Sequence, residues 1–242
     1  MQATQTQRPA NWVISAYAFN TYMTTALLGG KRIMAAATAI NAHKLATPFV
    51  VIGLMLHYNN FTPAAWLYLG LHGSYVACWL LKHFAFRDPK WEYRVTLGGG
   101  LFTFLLLGTY WIAPWLLISG VLYDEPRALP GWLTAVCVAL VVVGASVMLA
   151  ADCQKKFTLK YGPGLITDGL FSRMRHPNYL GEMMVYAGFA TVVGLIWPWF
   201  VLAYWWVGVF LVNILMIEAS LSRYPEWRSY KQRTWMLLPK IF

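Results

Sequence analysis

The chain has 242 residues, of which 59% are apolar and only 12% charged, about half the charged fraction of a soluble domain; an ordinary water-soluble globule is excluded. Its 13 Trp, 14 Tyr and 13 Phe exclude a disordered chain, and its 3 Cys exclude a disulfide scaffold. A net charge of +10 would suit a nucleic-acid binder, but the basic residues fall between apolar stretches rather than along one segment, so no nucleic-acid partner is expected. A transmembrane helix takes roughly 20 apolar residues, and the apolar content accommodates about seven, with nothing left for a soluble domain.

In chain order, the apolar stretches predict spans near 11–30, 45–58, 62–84, 95–119, 131–151, 179–195 and 197–221. The polar opening Met1 to Pro9 lacks the basic and short apolar layout of a cleavable signal, so the first stretch is expected to stay as a span. With the N-terminus outside, 17 of the 19 basic residues face the cytoplasm. They are Lys31, Arg32, Lys44, Lys82, Arg87, Lys90, Arg94, Lys155, Lys156, Lys160, Arg173, Arg175, Arg223, Arg228, Lys231, Arg233 and Lys240, leaving Arg8 and Arg127 outside. This bias predicts an all-α, multi-pass integral membrane protein of about seven helices, N-terminus outside and C-terminus cytoplasmic, folded as one membrane domain over 1–242. Cys78, Cys137 and Cys153 share no short spacing and read as free thiols. The His residues at 43, 57, 72, 83 and 176 show no ligand spacing, so no metal site is expected.

Chemistry concentrates in residues 150–182, AADCQKKFTLKYGPGLITDGLFSRMRHPNYLGE, which are far more charged than the spans around them. Polar, irregular backbone at membrane depth is tolerated only where it is buried in protein or lines a cavity, so this segment is expected to wall a polar pocket. Glu182 and Glu218 lie in predicted spans, where ionisable side chains are functional candidates. Each also has a plainer reading: Glu182 as an acid at a helix start, Glu218 as an interfacial acid paired with Arg223 or Arg175. Asp152 would oppose the dipole of a helix C-terminus and therefore needs a specific partner. Lys155, Lys156, Lys160, Arg173 and Arg175 read either as headgroup anchors or as phosphate ligands. From Glu218 to Phe242 charge alternates with aromatic side chains, suiting an interfacial helix or the second wall of the pocket. No dinucleotide-binding glycine fingerprint and no Walker loop occurs. A transporter is disfavoured because the spans show no internal repeat and the polar residues gather at one face.

The runs Asp152-Cys153-Gln154-Lys155, Asp168-Gly169-Leu170-Phe171 and Arg175-His176-Pro177-Asn178-Tyr179-Leu180-Gly181-Glu182 resemble the C-terminal half of the steroid 5-alpha-reductase family and of the related sterol C14 and C7 reductases. The ending Tyr224-Pro225-Glu226-Trp227, Tyr230, Pro239, Ile241-Phe242 is similar to theirs. The resemblance implies an enzyme that takes NADPH at the cytoplasmic face and reduces an activated carbon-carbon double bond in a lipid. Residues 1–149 would form the lipid-substrate half and 150–242 the cofactor-binding half. Asn178 would hold the nicotinamide carboxamide, and Asp152 and Glu182 would accept from ribose or amide donors. Lys155, Lys160, Arg173 and Arg175 would bind phosphate, with His176, Tyr179, Glu218, Arg223, Tyr224, Tyr230 and Arg233 completing the pocket.

The group that polarises the lipid carbonyl is sought on chemistry alone among Glu182, Tyr75, His83 and Tyr110. The reductases place a Glu ahead of this region, whereas no acid occurs between Met1 and Arg87, which favours an enone or unsaturated lipid other than a steroid. The Arg-His-Pro-x-Tyr-x-Gly core also resembles the isoprenylcysteine carboxyl methyltransferases. That likeness implies S-adenosylmethionine held by His176, Tyr179, Glu218 and Arg223, and a lipid, thiol or prenylated cysteine as acceptor. Those enzymes often carry a second Glu just before the acid; here position 217 is Ile.

Overall fold

The structure is a computed structural model that describes residues 7–239, so Lys240, Ile241 and Phe242 lie outside the described residues, as do 1–6. Helices α1 (Asn11–Thr25), α2 (Ala36–His57), α3 (Pro63–Ala85), α4 (Leu97–Leu107), α5 (Ile112–Ser119), α6 (Gly131–Tyr161), α7 (Pro177–Val193), α8 (Ile196–Ala203), α9 (Val212–Leu221) and α10 (Trp227–Arg233) make up most of it. Two short strands, β1 (Arg32–Ala35) and β2 (Arg94–Thr96), pair antiparallel with Arg32 opposite Thr96, a small departure from the all-α expectation. A 3-10 turn, Gly108–Trp111, joins α4 to α5, and a π-helical stretch, Tyr204–Leu211, joins α8 to α9. Five rods are long and apolar enough to cross a membrane: Ala36–His57, Pro63–Ala85, Leu97–Ser119, Gly131–Tyr161 and Ile196–Leu221. Together they define an α-helical, multi-pass integral membrane protein.

The rods alternate in direction. Lys44 meets Tyr75 and Asn41 meets Trp79, so α2 and α3 are antiparallel. Tyr68 meets Phe189 and Tyr75 meets Glu182, while Gly181 abuts Met148 and Gly188 abuts Val141, so α3 and α6 both run antiparallel to α7 and thus the same way. Helices α6 and α7 cross through glycine: a Cβ at Gly181 would lie 2.5 Å from Gly144 O and 2.6 Å from Met148 N, and one at Gly188 would lie 2.7 Å from Val141 Cγ2. Small residues at a crossing let two backbones approach closely where the surrounding lipid offers no hydrophobic drive. The crossing also fixes a register that sets Asp152 of α6 against the first turn of α7.

Three expectations change. First, α1 is shorter than the predicted first span and packs antiparallel to residues 208–222 along the last rod. Gln7 N donates to Ser222 Oγ just past α9, and Leu27 O accepts from Thr96 Oγ1 at the start of α4. The first of these lies at the end of the bundle that carries Arg175 and the C-terminal segment, whereas Asn20 meets Gly208 O further back along the last rod. The 15 residues of α1 span about 22 Å at 1.5 Å per residue, short of the roughly 30 Å hydrocarbon core. Arg8 therefore joins the basic end, and among the described residues only Arg127 remains at the other, a cleaner charge bias than the one read from the sequence.

Second, α6 continues well past 151, so Asp152, Lys155, Lys156 and Lys160 are helical rather than part of an irregular segment. Third, Lys44 and Lys82, counted as cytoplasmic-face charges, are buried inside α2 and α3 at 2% and 8% exposure.

The interior is dominated by rings. Tyr68, Tyr75, Tyr230 and Phe189 are among the largest fully buried side chains. Tyr110 stacks on Tyr186 at 4.1 Å and on Trp205 at 5.0 Å between centroids. In the π-helical stretch Gly208 O accepts from Asn20 Nδ2 of α1 at 2.9 Å. A side chain from a neighbouring helix thereby satisfies a carbonyl where the regular ladder is widened.

Candidate functional site

Helix α3 carries Tyr68, His72, Tyr75, Trp79 and Lys82 at steps of three or four residues, and all five are buried. That spacing keeps them on one face, which turns toward α2, α6 and α7. From α7 come Tyr179, Glu182 and Tyr186, again three and four apart. The two stripes meet in the bundle interior around Lys44 of α2.

Lys44 Nζ donates to Tyr75 Oη at 3.0 Å and to Tyr186 Oη at 2.8 Å. It also lies 4.3 Å from the Tyr75 ring centroid and 4.9 Å from that of Trp79. Tyr75 Oη donates to Glu182 Oε1 at 3.5 Å, the long limit of a hydrogen bond. Nearer the basic end, Lys82 Nζ forms an ion pair with Asp152 Oδ2 at 2.5 Å and sits 4.2 Å above the Trp79 ring. This is the partner that an acid near a helix C-terminus requires. Trp79 Nε1 donates to Asn41 Oδ1 at 3.1 Å. The constellation thus holds two ammonium groups, two carboxyl groups and two phenols across four helices. A cavity of about 10 Å³ beside it is bounded in part by Tyr68, His72, Tyr110 and Tyr186, room for about one water.

A second polar knot closes the basic end. Glu218 Oε1 accepts from Arg175 Nε at 2.5 Å and lies 3.6 Å from His176 Nε2, while Oε2 is 3.4 Å from Lys231 Nζ. Arg175 Nη1 donates to Thr234 O at 2.5 Å, and Tyr230 Oη to Phe171 O at 2.8 Å. Met174 and Trp235 form a parallel bridge, so the segment after α10 is laid against residues 171–176. Burial holds the His176 imidazole below its usual value despite the carboxylate beside it. It also pushes the Tyr230 phenol up to about 12.

The other candidates divide by place. Asn178 is half-buried in the first turn of α7 and makes no side-chain hydrogen bond among the described residues. It shares a face with Glu182, four residues on. Lys155 is half-buried and Lys160 exposed along α6, and neither has an ion pair among the described residues. Arg173 and Arg233 are exposed, the latter 5.7 Å from the Tyr230 ring. Arg223 donates to Ser220 O and to Tyr224 Oη. Tyr179 packs edge-on against Phe210 at 5.1 Å.

His83 is not brought to the cluster; its ring meets Phe84 at the helix surface. Tyr110 reaches it only by stacking on Tyr186. Arg175 and Glu218 are joined to each other, with the arginine's Nε and Nη1 engaged inside the fold. A recess of about 360 Å³ lies at the opposite end, among 58–62 and 117–127, remote from these acids.

Lys44, Lys82 and Tyr186 were not among the site residues read from the sequence. The repeat from Tyr68 to Lys82 and the matching Tyr179, Glu182, Tyr186 spacing are the signals that expose them, because each sets polar groups on the inward face of a span.

Paired charges and phenols lie inside a helical membrane bundle, beneath a basic end closed by an Arg175 to Glu218 knot, and the chain's family match falls in the steroid 5-alpha-reductase-like superfamily, which suggests a membrane enzyme. Within that superfamily the chain belongs to the family described as "Protein of unknown function (DUF1295)", whose profile matches residues 82–234. The match includes Lys82, Asp152, Asn178, Glu182 and Glu218, while Lys44 and Tyr75 precede it. No curated protein matches the chain.

Proposed function

We propose that the protein uses NADPH to reduce an activated carbon-carbon double bond in a membrane lipid, taking the cofactor at the basic end. By the charge bias that end is cytoplasmic. The observation that carries this reading is the path along α7. Asn178, whose amide has no partner among the described residues, and Glu182 share one face, and Glu182 meets the buried Tyr75, a hydroxyl able to donate to a lipid carbonyl.

The residues present fit the cofactor. Asn178 would hold the carboxamide, Asp152 and Glu182 would accept from ribose or amide donors, and Lys155, Lys160 and Arg173 would meet the phosphates. Arg175 is better read as a positioning residue than as a phosphate ligand, since Glu218 and Thr234 already hold it. Tyr230, tied to Phe171 O, would fix the wall formed by 171–176. Bound there, the cofactor supplies a hydride to the β-carbon of an enone, and a proton reaches the α-carbon, so the alkene is reduced and NADPH oxidised. Tyr75 would donate to the carbonyl oxygen, where negative charge grows as the reaction proceeds. The apolar rods around the cluster would keep water from the reacting atoms.

The methyltransferase alternative needs Glu218 as a contact to S-adenosylmethionine. Both of its oxygens are close to cations of this chain, which supports the reductase instead.

The deciding experiment is the thermal shift of purified, detergent-solubilised protein with NADPH, NADH or S-adenosylmethionine. A ligand at a hundred times its dissociation constant adds about 2.7 kcal/mol of stability. Stabilisation by NADPH that Asn178→Ala and Glu182→Ala each abolish is the expected result. Stabilisation by S-adenosylmethionine alone, lost in Glu218→Ala, would overturn the reading.

A further inference from the structure

Lys44 is a buried cation for which the reductase chemistry above gives no role and which, unlike Lys82, has no carboxylate in direct contact. It is 2% exposed, and among the described residues it forms no ion pair. An ammonium group has three hydrogens and no acceptor. Two are directed to the oxygens of Tyr75 and Tyr186, and the aromatic faces of Tyr75 and Trp79 lie beside the group. Because Lys44 can only donate, each phenol oxygen accepts from it and keeps its own proton for another acceptor. For Tyr75 that acceptor is Glu182 at 3.5 Å, a contact long enough to be exchanged for a better one.

We propose that Lys44 is a positioning residue of the reductase site: its ammonium turns the Tyr75 and Tyr186 hydroxyls into paired donors for the carbonyl oxygen of an enone lipid, and its charge stabilises the enolate that forms there. The inference rests on the reductase reading and names its substrate oxygen. Lys44 lies 8 residues into α2 and Tyr75 10 residues from the end of α3, so the oxygen sits about 12–15 Å inside the rods at 1.5 Å per residue. Charge developing at that depth, away from water, is stabilised far more by a fixed cation than it would be at the surface. A headgroup carrying its own phosphate would meet a high desolvation barrier on the way in, so the substrate class is an uncharged enone: an aldehyde or ketone at the end of, or within, an apolar skeleton.

The test uses full-length protein in detergent with NADPH, trans-2-hexadecenal and progesterone as enone probes, and 2-naphthol as a fluorescent mimic of the enolate oxygen. Lys44→Met is expected to lower kcat by about 10²–10³-fold, the loss seen when one stabilising donor to a developing oxyanion is removed. KM and the NADPH thermal shift should stay within about twofold, and Lys44→Arg should recover part of kcat by restoring the charge. Lys44→Met should also lose the preference of the wild type for naphtholate over neutral naphthol, a readout that needs no turnover and that a purely structural lysine would not move.

Unchanged kcat or unchanged naphtholate preference in Lys44→Met, with the NADPH shift intact, would overturn the role of Lys44 and leave the reductase reading standing. Absence of any NADPH shift in the wild type would instead remove the reading beneath it. Should Lys44→Met not fold, Tyr186→Phe removes one of the two donors while leaving the charge. It is expected to lower kcat and weaken naphtholate binding about tenfold, and equality with the wild type in both would sink the proposal.

Discussion

Removing the Glu218 carboxylate tests the physics of the closing knot. Arg175 and Glu218 are 7% and 6% exposed, and the arginine's Nε reaches Glu218 Oε1 at 2.5 Å. In Glu218→Ala the guanidinium loses its counter-charge and the carboxylate that orients it toward Thr234, with water still excluded. Breaking a buried pair from one side costs about 3–5 kcal/mol. At roughly 2–4 °C per kcal/mol for a chain of this size, the melting temperature should fall by about 6–20 °C. Lys231 makes the informative control, since its side chain is 48% exposed, and Lys231→Met should cost less than about 1 kcal/mol.

Because Arg175 Nη1 holds Thr234 O, loss of the knot should also free the segment around α10. Trypsin should then cut faster at the exposed Arg228 and Arg233. The assay is a melting curve in detergent with timed proteolysis, closed into a cycle with Arg175→Met and the double variant. The double variant should be more stable than Glu218→Ala alone, since it leaves no uncompensated buried charge. A drop in Glu218→Ala below about 1 kcal/mol, or simple additivity in the cycle, would refute the buried-pair account.

Three further outcomes are expected. Gly181→Ala places a Cβ 2.5 Å from Gly144 O, so α6 and α7 must part; a loss of about 1–3 kcal/mol in thermal stability is predicted, and a change inside 0.5 kcal/mol on that scale would show that the crossing yields freely. His176 is held below its ordinary value by burial, so the unfolded chain takes up a proton near pH 6.5 that the folded chain resists. Stability should therefore be full above that pH and fall between pH 7 and 5, with a flatter melting profile for His176→Gln; identical profiles would contradict it. Finally, Lys82→Met combined with Asp152→Leu replaces a mostly buried pair by apolar groups and should leave the melting temperature nearly unchanged, while equilibrium titration should show weaker NADPH binding because Asp152 is gone. Full NADPH affinity in the double variant would exclude Asp152 from the cofactor site.

The legible part of the fold is the part written in apolar runs. Five of the predicted stretches correspond to rods long enough to cross, because continuous apolar length is a direct consequence of bilayer thickness. The first stretch misled because Asn11–Thr25 is apolar without being long, and only the hydrogen bonds from Gln7 to Ser222 and from Asn20 to Gly208 reveal that it packs antiparallel to the last rod. Lys44 was hidden by the positive-inside rule itself. A lysine near the edge of an apolar run counts as an anchor, and nothing local to it says that two tyrosines 31 and 142 residues away will accept its hydrogens. Asp152 showed from the sequence that it needs a partner. The partner, Lys82, is 70 residues away and is set by the packing of α3 beside α6. Local chemistry identifies which side chains need compensation, whereas tertiary register decides who supplies it.

That division bears on why Lys44 differs from Lys82. Both are cations inside the bundle, but Lys82 is neutralised at 2.5 Å by Asp152, and a charge so matched contributes little to a change elsewhere. Lys44 has phenols and ring faces in direct contact, and the Glu182 carboxyl is held one phenol away by Tyr75, so its field is not cancelled by a direct ion pair. Burying a charge without a direct ion pair opposes folding, and a bundle built for stability alone would replace it with an apolar side chain. Its place beside Tyr75 and Glu182 is intelligible if a negative charge arises there for the duration of a reaction. A permanent carboxylate against Lys44 would cancel the field in the resting state and remove the difference between ground state and transition state on which catalysis depends.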